Sequence, residues 1–283
     1  MSKIYIVIPA HNEEKFISKT LDSLVNQSLL PDKLVIVDDN SSDNTNKILK
    51  TYVDRYPFIV IVHIRSKEQH LPGSKVINAF NAGLKVLDTD YDILCKFDAD
   101  LIFPSDYLET VASHFKTDHN VGMAGGFCYI SKNKHWELEN LTNKDHIRGA
   151  LKAYRKECFN DINGLTPAMG WDTIDELLAQ FYGWSIKTDA SLKVKHLKPT
   201  GQTYHTSSKL KQGQAFYQIR YGFWLTLIAS IKLSILKKQP KLFFDYLQGY
   251  FKAVKNRTPY LVTAEQGRFI RKLRWKKIFG KLF

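Results

Sequence analysis

The order of apolar and polar segments predicts an α/β fold with a mostly parallel central sheet, helices on both faces and a helical extension at the C-terminus. In the first hundred residues, short apolar runs alternate with amphipathic stretches across short connections, which is typical of parallel β-α units. The 283 residues are 44% hydrophobic, which supports a packed core and argues against a disordered chain. From Gln212 onward the pattern is mostly helical, with breaks near Pro240 and Pro259.

Four strands and three helices are predicted in the first hundred residues. The first strand is an apolar run ended by Pro9, which suits a strand buried in a parallel sheet. The first helix carries its apolar residues, Phe16 and Leu24 among them, on one face. The predicted strands are Ile4–Ile8, Leu34–Val37, Phe58–Ile64 and Ile93–Phe97; the predicted helices are Glu13–Gln27, Asn44–Tyr52 and one that opens at Gly73 and runs through Leu87.

Beyond residue 121 the pattern is less regular. Strands are expected at Val121–Ile130 and Ser185–Val194. Between them we expect a loop over Ser131–Lys144, followed by helices near Ala150–Phe159 and Thr173–Tyr182. No Ser/Gly-rich linker precedes the helical extension, so the extension is expected to pack on the preceding domain.

The formal charge of +13 is unevenly distributed along the chain. Residues 1–190 carry 21 Lys and Arg against 26 Asp and Glu, a net −5, whereas residues 191–283 carry 20 against 2, a net +18. A uniformly basic nucleic-acid-binding protein is therefore excluded. Three cysteines without a CxxC pair suit a reducing compartment, and no signal peptide or membrane-spanning stretch is evident, so a cytoplasmic location is expected.

Polar residues follow three of the predicted parallel strands. Ligands of open α/β sheets bind outside the carboxyl ends of the strands, and carboxylates gathered there need a cation between them. Mg²⁺ or Mn²⁺ bound to an anionic substrate meets that need. No Gly-rich phosphate loop and no GxSxG motif is present, which argues against P-loop NTPases, nicotinamide dehydrogenases and α/β-hydrolases. The three segments are Pro9-Ala10-His11-Asn12-Glu13, Asp38-Asp39 and Asp98-Ala99-Asp100.

In order and spacing, the segments Ile8–Glu14, Val37–Thr45 and Phe97–Asp100 resemble a family 2 glycosyltransferase with the GT-A fold, of the membrane-associated bacterial type. The resemblance covers about residues 3–210 and includes Ala153–Lys156 and Gly170–Gly183 on the acceptor side. It implies a GT-A domain over 1–210, divided into a nucleotide-binding half (1–100) and an acceptor half (101–210). The remaining residues, 211–283, form a basic amphipathic helical tail.

The resemblance also implies roles for the residues at the strand ends. Asp39 would accept a hydrogen bond from the imide N–H of a uracil or guanine ring, and Asp100 would bind the metal. Alternatives from the residues themselves remain open: Asp39 as a turn residue, Lys75 as a solvated lysine, the Asp pair as a helix cap and His196 as a structural histidine. The implied nucleotide-binding residues are Pro9, Ala10, Glu13, Asp39, Lys75 and Asp98; the implied metal ligands are Asp100, Asp98 and His196.

An inverting displacement needs a general base on the acceptor side, and a carboxylate is the usual group. The candidates are Asp172, Asp175 and Glu176. The family pattern has an acidic pair opening a helix, and Asp175-Glu176 fits it with the usual order reversed. We therefore expect Asp175 to be the base and Asp172 to be the next candidate, with another of the three favoured at a helix start by the macrodipole.

Aromatic and basic residues are interleaved in the tail. Tyr221–Leu236 is apolar and ends in lysines, and Arg268–Phe283 alternates large apolar residues with seven Lys and Arg. This composition suits an anionic membrane surface. Packing on the domain or on a second subunit, as in a homodimer, is the next alternative. Nucleic acid ranks last, because no nucleic-acid-binding motif is present.

These expectations combine into one hypothesis. A metal-dependent inverting glycosyltransferase, using Mg²⁺ or Mn²⁺, would move one sugar from a UDP- or GDP-sugar to a glycan or lipid-linked acceptor. It would act in cell-surface polysaccharide synthesis, peripherally on the inner membrane face. Transfer of a single sugar is expected because Gln212–Arg220 matches the Gln-x-x-Arg-Trp motif of processive synthases poorly. The alternative is a catalytically inactive GT-A domain that serves as a membrane-bound scaffold.

Overall fold

The computed structural model describes residues 2–66, 73–139, 145–198 and 207–280. The described strands are β1 (Ile4–Ala10), β2 (Lys33–Asp39), β3 (Ile59–Ile64), β4 (Ile93–Phe97), β5 (Leu101–Ile102), β6 (Val121–Lys132), β7 (His135–Leu138), β8 (Leu151–Arg155) and β9 (Ser185–His196). The described helices are α1 (Ile17–Val25), α2 (Thr45–Val53), α3 (Ser74–Leu84), α4 (Tyr107–Thr117), α5 (Lys156–Asp161), α6 (Trp171–Phe181), α7 (Ser207–Gln218), α8 (Gly222–Leu236), α9 (Lys241–Lys255) and α10 (Ala264–Phe279).

The strands form one mixed sheet in the order β3-β2-β1-β4-β8-β6-β9-β5, with β7 paired to β6. Strands β3, β2, β1 and β4 are parallel, as the alternating pattern predicts. Strand β8 lies antiparallel between β4 and β6 and so joins the two halves of the sheet. The residues of β1, β2 and β4 are almost entirely buried, which explains their continuous apolar runs. The predicted α/β class and the C-terminal helices are confirmed.

The predicted helix near Ala150–Phe159 is wrong over its first half. Leu151–Arg155 is strand β8, and only Lys156–Asp161 is helical. Pairing with β4 on one side and β6 on the other satisfies the backbone of β8 and buries it, so tertiary pairing overrides local propensity.

The predicted loop Ser131–Lys144 contains a strand. Strands β6 and β7 form a hairpin, and the two residues between them, Asn133 and Lys134, both have positive φ, at 50° and 66°. That conformation is the one a two-residue hairpin turn requires. Residues 140–144 of the predicted loop lie outside the described part of the chain.

Helices α7–α10 pack on one another and on the sheet domain. The Phe269 ring on α10 lies 5.5 Å from the Phe181 ring on α6, and Ile270 is fully buried. Thr263 and Gln266 form a capping box that starts α10. Among the described helices, none is long and apolar enough to span a bilayer.

Helices α7 and α9 approach at backbone distance. A Cβ placed on Gly213 of α7 would lie 1.8 Å from the carbonyl oxygen of Tyr246, and one on Gly249 of α9 would lie 1.9 Å from that of Leu210. Neither carbonyl can move without moving its helix, so this helix pair depends on both glycines.

We predict that Gly213→Ala destabilises the protein by about 3 kcal/mol, although alanine is normally the better helix former. The cause is the clash with the Tyr246 carbonyl, and urea unfolding measures it. Gln212→Ala, one position earlier on the same helix, serves as the control and should change stability by less than about 1 kcal/mol. Equal stability of both variants and the wild type would contradict the close packing of α7 on α9.

Candidate active site

The carboxyl ends of β1, β2 and β4 meet at one edge of the sheet, where the sequence predicted a site. Two sharp turns shape this edge: Asn12 after β1 and Asn40 after β2 both have left-handed backbones, with φ of 54° and 55°. Asparagine adopts this conformation more readily than other side-chain-bearing residues. The His11 ring, through Nδ1, lies 2.6 Å from the Asp39 carbonyl oxygen and ties the two loops together.

Asp38 and Asp39 differ in their surroundings. Asp38 is buried and accepts the backbone N–H of Ser41 at 3.1 Å, with the His63 ring at 3.2 Å. Asp39 accepts the backbone N–H of Ser66 at 2.8 Å through Oδ1. Asp38 therefore holds its own turn, while Asp39 lies between that turn and β3. Pro9 and Ala10 form the end of β1 beside them, paired with Val37 and Asp38 of β2.

Glu13 carries an incompletely satisfied charge. Its side chain is largely buried; Oε1 accepts from Lys198 at 3.2 Å, and Oε2 has no hydrogen-bond partner among the described residues. Burial raises the pKa of Glu13, and the negative charges of Asp100 and Asp98 add to the rise although Lys198 opposes it. The three carboxylates thus create a negative potential at the strand ends that the surrounding side chains only partly offset.

Asp98 and Asp100 each face a cationic side chain. Lys96 Nζ donates to Asp98 and to the Gly149 carbonyl oxygen, and His196 Nε2 lies 3.4 Å from Asp100 Oδ2. The structure therefore brings the three predicted metal ligands to one region. Two carboxylates and one imidazole are donors that suit Mn²⁺ or Mg²⁺, and the unpartnered oxygen of Glu13 nearby shows that further positive charge fits here.

His196 is also tied to a second buried group, Glu139, which lies 3.0 Å from Nδ1. Burial lowers the pKa of His196, but its contacts with Asp100 and Glu139 outweigh burial and raise the pKa to about 9. Cys128 completes a buried trio whose donor atoms lie within 4.8 Å of one another. Burial raises the pKa of the Cys128 thiol, and Arg148 pairs with Glu139, so this trio is a poor soft-metal site.

All three cysteines, Cys95, Cys128 and Cys158, are buried with free thiols.

Lys75 lies in the first turn of α3. That turn is fixed to the loop before α6: Ser74 Oγ donates to the Pro167 carbonyl oxygen at 2.9 Å, and a Cβ on Gly73 would lie 2.5 Å from the Ala168 carbonyl oxygen. Lys75 is therefore placed beside the acceptor-side segment rather than at the end of a strand.

Asp175 is buried and fully engaged. Lys152 Nζ donates to its two oxygens at 2.8 and 2.9 Å, and Tyr154 Oη donates to Oδ2 at 2.6 Å. Burial raises the pKa of Asp175, against the opposing pull of Lys152. A carboxylate held by these donors is poorly placed to meet an incoming hydroxyl.

Glu176 and Asp172 share a histidine. His146 Nδ1 lies 2.9 Å from Glu176, whose Oε1 also accepts the backbone N–H of Ile147, and His146 Nε2 lies 3.6 Å from Asp172. Burial lowers the pKa of His146, but the two carboxylates outweigh burial and raise the pKa to about 9. Burial raises the pKa of Asp172, but His146 and Lys152 outweigh burial and lower the pKa to about 2. The Asp172 side chain is 33% exposed, more than either of its neighbours.

The sequence predictions missed two buried lysines. Lys96 of β4 and Lys152 of β8 are directly opposite in register, and their ammonium groups lie 5.2 and 5.7 Å from the Trp171 ring. Lys96 lies in an otherwise apolar predicted strand, which was the available signal, since a lysine is rarely buried unless it is paired. Lys152 gave no such signal, because β8 was not predicted as a strand. His146 gave no such signal.

Known proteins resemble this chain in sequence and in fold. A sequence model described as "Glycosyl transferase family 2" matches residues 5–169. Over 102 residues the chain is 35% identical to the "Probable glycosyltransferase YdaM" of Bacillus subtilis (strain 168); the match covers 35% of this chain and 23% of that protein. The chain thus spans about a quarter of the length of this curated relative.

Two solved structures share the fold. The mannosyltransferase PcManGT from Pyrobaculum calidifontis, in complex with GDP-Man and Mn²⁺, aligns with a TM-score of 0.59 at 14% identity over 98% of this chain and 81% of that one. S. aureus TarS 1–349, in complex with UDP-GlcNAc, aligns with a TM-score of 0.59 at 16% identity over 88% of this chain and 73% of that one. Since the sequence model matches more than half of its residues, the chain belongs to glycosyl transferase family 2.

Proposed function

We propose that the protein transfers one sugar, with inversion, from a nucleotide diphosphate sugar to a glycan or lipid-linked acceptor. The observation that carries this proposal is the convergence of Glu13, Asp98 and Asp100 at the sheet edge, with one carboxylate oxygen of Glu13 unpartnered among the described residues. A cluster of carboxylates with an unpartnered oxygen suits a divalent cation with a diphosphate. In support, PcManGT has been solved with GDP-Man and Mn²⁺, and TarS with UDP-GlcNAc.

Asp98, Asp100 and His196 would hold Mn²⁺ or Mg²⁺. When bound, the metal would neutralise negative charge on the leaving diphosphate. The raised pKa of His196 favours its charged form, so His196 would have to give up a proton in order to ligate. Lys96 already compensates Asp98, which leaves Asp100 as the principal ligand.

On the donor side, Pro9, Ala10 and Asp39 would line the base pocket. Asp39 Oδ1 is bonded to the Ser66 backbone, so the carboxylate is held in a fixed orientation while its other oxygen accepts the imide N–H of uracil or guanine. Lys75, in the first turn of α3, would approach the diphosphate from the acceptor side.

Asp172 is the better-placed base of the three acceptor-side carboxylates. It is the most exposed of them, so an acceptor hydroxyl would reach it and pass its proton to the carboxylate as that oxygen attacks the anomeric carbon. The His146 ring, 3.6 Å from Asp172, would help to hold that carboxylate in place. The sequence alone favoured Asp175, but its burial and its contacts with Lys152 support Asp172 as the proposed base, with Asp175 and Glu176 as proposed positioning residues that anchor Lys152 and His146.

An inactive GT-A scaffold is the competing function. The buried charges of the acceptor side disfavour it, because a chain without catalysis would gain nothing from an exposed carboxylate held beside a buried imidazolium.

The donor and the metal can be tested together. We predict that UDP- or GDP-sugars raise the melting temperature of the wild type, that Mn²⁺ increases the rise, and that Asp100→Ala removes the metal-dependent part and sugar transfer with it. Asp106→Ala, at the exposed start of α4, is the control and should behave as wild type. A metal-dependent shift that survives in Asp100→Ala would refute the metal assignment.

Asp172 and Asp175 should respond differently when each loses its charge. Asp172→Asn should lower kcat about 100-fold or more, leave donor binding close to wild type and cost clearly less stability than Asp175→Asn, because Asp172 is partly exposed. Asp175→Asn should instead destabilise the fold by about 3 kcal/mol, because Lys152 loses a charged partner in a buried site. Transfer assays measure kcat of both variants, and urea unfolding measures their stability. Loss of kcat in a stable Asp175→Asn variant, with kcat retained in Asp172→Asn, would assign the base role to Asp175.

Stability should depend on pH through His146. Its pKa is raised from 6.5 to about 9 in the folded protein, so its stabilising contribution is fully present below pH 6.5 and is lost as pH rises through about 9. The difference in unfolding free energy between wild type and His146→Gln should therefore shrink by an amount on the order of 3 kcal/mol between pH 6 and pH 10. His119→Gln, at an exposed position, should show no such trend; a flat difference for His146→Gln would contradict the ion pairs.

A further inference from the structure

Helix α8 buries its small polar residues and exposes large apolar ones. Its small polar residues Thr226, Ser230 and Ser234 are buried, whereas Trp224 and Ile235 are 66% and 70% exposed. Burying hydroxyls while leaving large apolar side chains in water reverses the usual arrangement of a helix at a protein surface.

The exposed apolar residues of α8 form a continuous stripe. Trp224, Ile228, Ile231 and Ile235 follow one another at spacings of four, three and four residues, which places them on one helix face. The buried Thr/Ser row lies on the other side of the helix, so these four apolar side chains face away from the rest of the protein.

Helix α9 extends the same surface. The Phe251 ring lies 6.0 Å from the Phe223 ring, which in turn lies 5.2 Å from Trp224. Phe244, at 68% exposure, precedes Phe251 by two helical turns. We call these exposed residues of both helices the apolar face: Phe223, Trp224, Ile228, Ile231, Ile235, Leu236, Phe244, Phe251 and Val254. An exposed apolar cluster of this size marks a docking surface.

Lysines surround the apolar face. The only acidic residue of α8 and α9 is Asp245. The exposed lysines on or between these helices are Lys232, Lys237, Lys238, Lys241, Lys252 and Lys255. Apolar side chains surrounded by cations complement an anionic lipid surface, in which negatively charged headgroups cover an apolar layer of acyl chains.

We propose that the apolar face docks α8 and α9 flat onto an anionic lipid surface, with the aromatic and isoleucine side chains among the acyl chains and the lysines at the headgroups. Helix α8 has 15 residues and is too short to cross a bilayer, so it lies in the interface. Helix α10 takes little part, because Phe269 and Ile270 pack it onto the protein. The surface is independent of the transfer reaction.

A second copy of the chain fits the apolar face less well. Pairing two such faces would bring two sets of lysines together around an apolar contact, and like charges at close range are destabilising. Lipid phosphates neutralise the same lysines.

Co-sedimentation tests the surface with vesicles of phosphatidylcholine alone or mixed with phosphatidylglycerol. We expect the full chain to bind the mixed vesicles at least tenfold more tightly. Trp224→Ser/Ile235→Ser should lose at least tenfold of that affinity and keep the wild-type melting temperature, since both side chains are exposed. The matched control, Leu30→Ser/Val86→Ser, removes two exposed apolar residues of the sheet domain and should bind as wild type.

Fluorescence supplies a second readout. Lipids with brominated acyl chains should quench wild-type tryptophan emission, and Trp224→Phe should keep vesicle binding but lose most of the quenching. Asp100→Ala should bind vesicles as wild type, which separates this proposal from the one on catalysis. Undiminished binding of Trp224→Ser/Ile235→Ser would overturn the proposal. A second result would also overturn it: a wild-type dimer in sedimentation equilibrium that Trp224→Ser/Ile235→Ser dissociates, together with no binding of the wild type to vesicles.

Discussion

Charge compensation beneath the active site is the constraint on which the rest of the structure depends. Lys96 and Lys152 are buried opposite each other on β4 and β8, with the Trp171 ring near both ammonium groups. Lys96 holds Asp98 on the donor side, and Lys152 holds Asp175 and Glu176 on the acceptor side. Removing one partner of a buried pair costs about 3–5 kcal/mol, so the two lysines and their carboxylates form a set that must be kept whole.

This set explains why the sheet is mixed. Antiparallel insertion of β8 beside β4 is what brings Lys152 into register with Lys96, and with it the acceptor-side helix α6 against the strand that carries Asp98. The placement of the Lys96 and Lys152 partners relative to one another is therefore set by backbone pairing, which is more rigid than a loop connection.

Much of the donor half could be predicted from the sequence, because the signals there are local. Apolar runs such as Ile4–Ile8 end in polar residues, and the carboxyl ends of parallel strands must meet. Strand β8 was missed because its signal is not local: Leu-Lys-Ala-Tyr-Arg has helix-forming residues, and only pairing with β4 and β6 makes it a strand. For the same reason the sequence does not reveal that Asp172 is more exposed than Asp175. Their spacing is known from the sequence, but their exposure depends on where Lys152 lies.

Helix α8 presents the same limit in another form. Its sequence is apolar on nearly every face, so periodicity does not say which face is buried; that choice follows from packing against neighbouring tail helices. Helix α10 links the tail to the candidate active site. Phe269 of α10 packs on Phe181 at the end of α6, and Asp172 lies at the start of the same 11-residue helix, about 16 Å long. The proposed base and the helical tail are thus fixed to one rigid element. If the apolar face rests on lipid, the height of Asp172 above the membrane is fixed as well, and an acceptor anchored in that membrane would present its hydroxyl at a constant distance.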